Sequence, residues 1–259
     1  MEIFLQIDTW VALLTLTFLE VVLGIDNIIF ISIAAGKLPE EKIKKTTQIG
    51  LLLAMVMRII LLTFVTYLAG LTKPIFTIDA SWLQTDVTGQ GLILFIGGLF
   101  LLWKSTSEIR EKVDPDETHE DLTKKSVKKA AMSAVIFQIV MIDLVFSFDS
   151  VLTAVGMTNG VPGALIIMVS AVVISMIIMM VFAVPIGKFV NTHPSIQMLA
   201  LAFLILIGFM LVTEAAHLSH TKVFGAEVGA IPKGYLYFAI AFSLGVEALN
   251  MRVRKNKKK

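Results

Sequence analysis

The sequence predicts an all-α membrane protein with seven transmembrane helices. They are arranged as a 3+3 inverted repeat followed by an extra C-terminal helix, with the N-terminus outside and the C-terminus inside. Three observations lead there: apolar blocks long enough to cross a bilayer, lysines and arginines gathered in alternate loops, and one acidic pattern that recurs in two apolar blocks. Of the 259 residues 56% are hydrophobic and 16% charged, and the mean hydropathy is +0.85, too apolar for a soluble domain of this length.

The blocks predict spans at about 9–35, 48–71, 88–104, 131–156, 161–187, 196–216 and 234–251. The third is the shortest. Its purely apolar stretch, Gly91 to Trp103, falls below the usual 17–25 residues and needs Val87 at one end and a snorkelling Lys104 at the other. The first span lacks a basic n-region, carries Glu2 and Asp8 near its start and is too long for a signal-peptide core, so it is expected to be retained. Trp10, Trp82 and Trp103 fall near predicted interfaces, where anchoring aromatics belong.

Loop charge tests the count independently. With the N-terminus outside, the inner segments hold four basic residues (Lys37, Lys42, Lys44, Lys45), seven (Lys104 to Lys129), one (Lys188) and six (Arg252 to Lys259). The outer segments hold only Lys73, Lys222 and Lys233, and Arg58 lies within a span. Eighteen inside against three outside follows the positive-inside rule. The net charge of +2 therefore reports topology, with no interleaved aromatics to suggest nucleic acid. The absence of cysteine excludes disulfides, thiolate metal sites and a cysteine nucleophile. No phosphate loop, nucleotide motif or nucleophile–base pair suggests an enzyme.

The repeat rests on rare residues. Span 1 contains FLEVVLGIDNIIFIS and span 4 contains IVMIDLVFSFDSVLTAVG. Aligning Glu20 with Asp143 puts Asp26 on Asp149 and Asn27 on Ser150, and LFIGGLFLLW of span 3 resembles LILIGFMLVT of span 6, with Gly98 on Gly208. Similar strings in oppositely directed spans mark an inverted repeat, common in secondary transporters that bind substrate near the midplane. Repeat 1 is expected over about 9–104, a charged cytoplasmic linker over 105–130, repeat 2 over 131–216, and the extra helix over 234–251. The bland alternative is coincidence among spans built from Leu, Ile, Val and Phe.

A carboxylate in hydrocarbon costs about 2.5–3.5 kcal/mol, so four need a shared partner. Glu20, Asp26, Asp143 and Asp149, with the Asn27 amide and the Ser150 hydroxyl, offer only oxygen. Hard divalent cations (Mg²⁺, Mn²⁺ or Ca²⁺) prefer such donors. Gly24 lies between the acids of span 1 and permits local unwinding; Ser147 is the only loosening element in span 4. Arg58 is mid-span and stays charged; it either holds helices together or neutralises a carboxylate when no ion is bound. Four acids and Arg58 sum to −3, and to −1 with a divalent ion, which motivates metal/proton exchange. The bland readings are helix–helix hydrogen bonds for the acids, a Glu247 pair with Arg252 or Arg254, and packing for Met176, Met179 and Met180.

With the terminal YLYFAIAFSLGVEALNMR, these segments resemble the TerC membrane protein family, named for tellurium resistance. The resemblance covers nearly the whole chain; LGIDN and SFDSV carry it most specifically. TerC proteins are placed among the LysE-type transporters. The resemblance implies a bacterial plasma-membrane exporter of manganese; the oxygen donors themselves leave Ca²⁺ open as a second cargo. It implies metal binding at Glu20, Asp26, Asp143 and Asp149, with Asn27 and Ser150 beside them. The implied partners are the divalent ion, the lipid bilayer, and secretion or membrane-quality-control proteins, some members being linked to metal supply for exported enzymes. Competing readings are a scaffold for membrane or secretion assembly with a structural metal, and an amino-acid exporter, for which four acids make an awkward host.

Overall fold

The computed structural model describes residues 7–64, 73–114, 131–158, 161 and 163–257, apart from the side chains of Leu23, Ile25, Asp26, Asp149, Leu152 and Lys257. Seven helices lie among them: α1 (Ile7–Ala35), α2 (Glu40–Thr63), α3 (Gly89–Val113), α4 (Met132–Met157), α5 (Ala164–Asn191), α6 (Pro194–Leu218) and α7 (Lys233–Lys257). Six are long and apolar enough to cross a membrane; α1, bent by 40° between Val22 and Asn27, makes seven if taken as one span. Gly24 stands at that bend, where a missing side chain most easily lets a helix kink.

Several boundaries depart from the sequence reading. The span expected at 48–71 is a helix from Glu40, whose first turn carries Glu40 and Glu41 at its partly positive N-terminus. It closes at Phe64, and 65–72 lie outside the described residues. The expected linker at 105–130 begins as helix: α3 runs to Val113, supported by a Lys104–Glu108 ion pair of 2.7 Å one turn apart. The rest of that linker, 115–130, lies outside the described residues.

The expectation of an all-α chain is corrected by a four-stranded sheet in the order β1 (Pro74–Asp79), β2 (Leu83–Thr88), β3 (Lys222–Val223), β4 (Ala226–Glu227). PIFTID and LQTDVT are rich in β-branched residues, which suit a pleated surface. Their antiparallel register pairs Thr77 with Asp86 and Asp79 with Gln84. The β3–β4 turn uses Phe224 and Gly225 at φ 50° and 81°, the positive-φ pair of a two-residue hairpin. Asp86 N–H donates to the Ser219 carbonyl at 2.8 Å, joining the sheet to the end of α6.

The chain divides into two compact units. One, Met1–Gly70 with Ser126–Thr192, contains α1, α2, α4 and α5. Here α1 runs parallel to α5, with Gly24 against Met179, Gly187 against Ser32 and Gly36 against Asn191. Likewise α2 runs parallel to α4, with Gly50 against Ile139 and Arg58 against Asp143. The other, Leu71–Lys125 with His193–Lys259, contains the sheet, α3, α6 and α7. In it α3 and α6 pack antiparallel at a reciprocal contact. A Cβ on Gly98 would lie 2.7 Å from the Gly208 carbonyl oxygen, and one on Gly208 would lie 3.0 Å from the Gly98 carbonyl oxygen. Only 6% of α7's apolar window is buried, against 33% for the next least covered helix, so α7 is the most open of the set.

Candidate functional site

Three helices of the first unit bring charge together at one point. Helix α1 supplies Glu20 and Asn27, α2 supplies Arg58, and α4 supplies Asp143, Ser147 and Ser150; all six are buried. On a helix Glu20 and Asn27 are seven residues apart and share a face. Asp143, Ser147 and Ser150 follow an i, i+4, i+7 spacing on α4 and line another.

Arg58 is the hub. Its Nη1 donates to Glu20 Oε2 and its Nη2 to Asp143 Oδ1 at 2.8 Å, with all three side chains at most 6% exposed. The planar guanidinium fork allows one cation to hold two carboxylates at once. Asn27 Nδ2 donates to Asp143 Oδ1 at 3.3 Å, and Ser147 Oγ donates to Asp143 Oδ2 at 3.0 Å. Both oxygens of Asp143 are thus engaged. Ser150 Oγ turns back to the Ser147 carbonyl at 3.2 Å.

The structure therefore joins Glu20, Asn27, Arg58 and Asp143, and seats Ser150 on the next turn. Asp26 and Asp149 occupy the expected turns of α1 and α4, but their side chains lie outside the described residues. Among the described residues no group of three His, Cys, Asp or Glu converges as a metal-ligand set. Ser147 was read from the sequence only as a loosening element, yet it braces Asp143; its i+4 spacing is the signal that would have found it. The Glu247 pairing with Arg252 or Arg254 gives way to other partners: Asn250 Nδ2 donates to Glu247 Oε2 at 3.3 Å, and Arg254 Nη1 to Ser195 Oγ at 3.3 Å. Met176 and Met179 are buried in helix packing.

Two buried polar atoms of the cluster lack a hydrogen-bond partner among the described residues: Asn27 Oδ1 and Arg58 Nε. An orphaned amide oxygen beside two carboxylates and two hydroxyls gives a donor set made entirely of oxygen. Such a set fits a hard divalent cation, and zinc or copper would favour the nitrogen or sulfur ligands it lacks. Two carboxylates against one guanidinium leave the described cluster one negative charge. One guanidinium thus balances part of the charge of two carboxylates carried by separate helices.

Comparison with known proteins agrees with the motifs. The family model described as "Integral membrane protein TerC family" matches residues 5–259. A UPF0053 protein of Haemophilus influenzae is 44% identical over 248 residues, covering 96% of this chain and 95% of its own. The UPF0053 inner membrane protein YgdQ of Escherichia coli K12 is 44% identical over 250 residues, with the same coverage of each chain. The UPF0053 inner membrane protein YoaE of Escherichia coli K12 is 42% identical over 256 residues; the match spans 99% of this chain but 45% of that longer protein. No solved structure matches.

Proposed function

This chain belongs to the integral membrane protein TerC family, a multi-pass protein of the bacterial plasma membrane, and we propose that it is a secondary transporter exporting a divalent metal ion from the cytoplasm. The cargo is Mn²⁺, with Ca²⁺ as a second candidate, and the site is Glu20, Asp26, Asn27, Asp143, Asp149 and Ser150. The observation that carries this reading is Arg58, buried between carboxylates donated by α1 and α4. The guanidinium holds the acids while no ion is bound, and an arriving dication displaces it.

The proposed architecture is seven spans, N-out and C-in, with α1–α3 repeated inverted as α4–α6 and α7 appended. Packing within each unit supports it. If α1–α2–α3 corresponds to α4–α5–α6, the α1·α5 pair maps onto α4·α2, and both pairs run parallel. The α3·α6 pair maps onto itself, and its Gly98–Gly208 contact is reciprocal, as a two-fold relation requires. Export in exchange for protons follows from the charge of the full acidic set, and delivery of metal to secreted enzymes is a physiological role consistent with it.

The test is metal flux in proteoliposomes. Asp26→Asn and Asp149→Asn should abolish Mn²⁺ flux with the protein still folded and inserted, and wild-type flux should respond to an imposed pH gradient. Unchanged flux in both variants would refute the site, and indifference to the gradient would refute proton exchange. A second reading, a membrane or secretion-assembly scaffold with a structural metal site, is favoured by one observation: the Arg58 cluster ties three helices together. It requires that the acids support abundance and not flux.

A further inference from the structure

We propose that the groove between α2 and α5 binds one anionic glycerophospholipid, headgroup at Lys44 and acyl chain along α5. The groove encloses about 540 Å³ and is lined by Lys44 and Gln48 of α2 and by Ile177, Val181, Val184 and Pro185 of α5. Both helices belong to the first unit. Its wall is apolar and open: Ile177 is 50% and Val181 64% exposed. For a multi-pass plasma-membrane protein, such a wall at helix depth faces acyl chains. From Ile177 to Pro185 the lining extends about 12 Å along the helix axis, long enough for part of one chain.

The polar end selects the headgroup. Lys44 lies in the second turn of α2, near its partly positive N-terminus. On its own face of α2, Lys44 has Glu40 and Glu41 one turn before it; Lys42 and Lys45 stand on the other faces of the helix, and Lys188 lies one turn beyond Pro185. Four lysines against two glutamates leave this end of the two helices net positive, and basic sites between transmembrane helices favour anionic headgroups. Gln48, one turn deeper, has amide hydrogens for an ester carbonyl. Phosphatidylglycerol carries a net negative charge and phosphatidylcholine none, so the cationic end of the groove distinguishes them. A free phosphate ion would use Lys44 but has no use for the groove.

Purified full-length protein in detergent, stripped of lipid and titrated with phosphatidylglycerol, phosphatidylcholine or inorganic phosphate, tests this by native mass spectrometry. Wild type should retain one phosphatidylglycerol at least five-fold more readily than phosphatidylcholine, and phosphate should not displace it. Lys44→Glu should abolish the preference, and Val181→Trp, which fills the groove, should lower retention of both lipids. Equal retention of the two lipids by wild type overturns the proposal, as does displacement by phosphate or an unchanged preference in Lys44→Glu. The wild-type comparison decides the matter even if a variant does not fold, and none of these outcomes depends on metal transport.

Discussion

Arg58 Nη2 lies 2.8 Å from Asp143 Oδ1, and neither side chain is more than 3% exposed. The same guanidinium reaches Glu20, so one residue of α2 fastens α1 and α4 at their acidic turns. Removing either partner of a buried pair leaves a charge in a medium that cannot solvate it, and that is the expensive state.

Arg58→Met is therefore expected to destabilise the protein by about 3–5 kcal/mol, read as a lower midpoint of thermal unfolding in detergent. Adding Glu20→Gln and Asp143→Asn should recover most of the loss, because no buried charge is then stranded. If the triple variant melts no higher than the single one, the ion pair is not the cause.

Ser147→Ala removes the hydroxyl that braces Asp143 Oδ2 at 3.0 Å. The expected stability loss is about 1–3 kcal/mol, the range for a buried acceptor that loses its donor. Mn²⁺ flux should fall as well, since Asp143 Oδ2 then loses its side-chain donor while Oδ1 stays with Arg58 and Asn27. Flux equal to wild type in proteoliposomes would show that Asp143 needs no brace.

Two glycines should respond differently to the same methyl group. At Gly98 the new Cβ would meet a backbone carbonyl oxygen at 2.7 Å, whereas at Gly24 the nearest atom, at 2.2 Å, is the sulfur of Met179. A backbone cannot turn aside, but the end of a methionine side chain can. Gly98→Ala should thus cost more than Gly24→Ala, about 1–3 kcal/mol for the overpacked site. Comparing the two melting points checks the order.

Thr88 closes β2 and opens α3, its Oγ1 accepting from Gly91 N–H at 3.0 Å. Thr88→Ala should cost about 1 kcal/mol, and Thr88→Ser should restore most of it. Hydrogen exchange at the Gly91 amide reports the change directly.

How much of this was legible beforehand varies with the residue. Glu20 and Asp143 stand out because carboxylates are rare in hydrocarbon, and their rarity aligned the two halves. Arg58 was equally visible, but nothing in its sequence position says that it reaches two acids on two other helices; that is tertiary. Ser147 reads from the sequence only as a loosening element, since serine in an apolar run usually bonds back to its own helix; here it does so and also donates to the Asp143 carboxylate. The strands in PIFTID and LQTDVT are six residues each and lie between apolar blocks, too short and too polar to stand out beside membrane spans. Lys222–Val223 and Ala226–Glu227 are too short to show any alternation. Charge marks residues 105–113 as solvated linker, whereas α3 continues through them to Val113 with Lys104 and Glu108 paired one turn apart.

The small sheet has a consequence for biosynthesis. Its first hairpin is complete at Thr88, but the strand that flanks β2 begins only at Lys222. At typical translation speeds that interval is on the order of ten seconds. Throughout it the nascent hairpin waits with a bare edge on each side, and bare edges recruit foreign strands. Shortening that wait, by faster synthesis between residues 88 and 222, should raise the yield of correctly assembled protein.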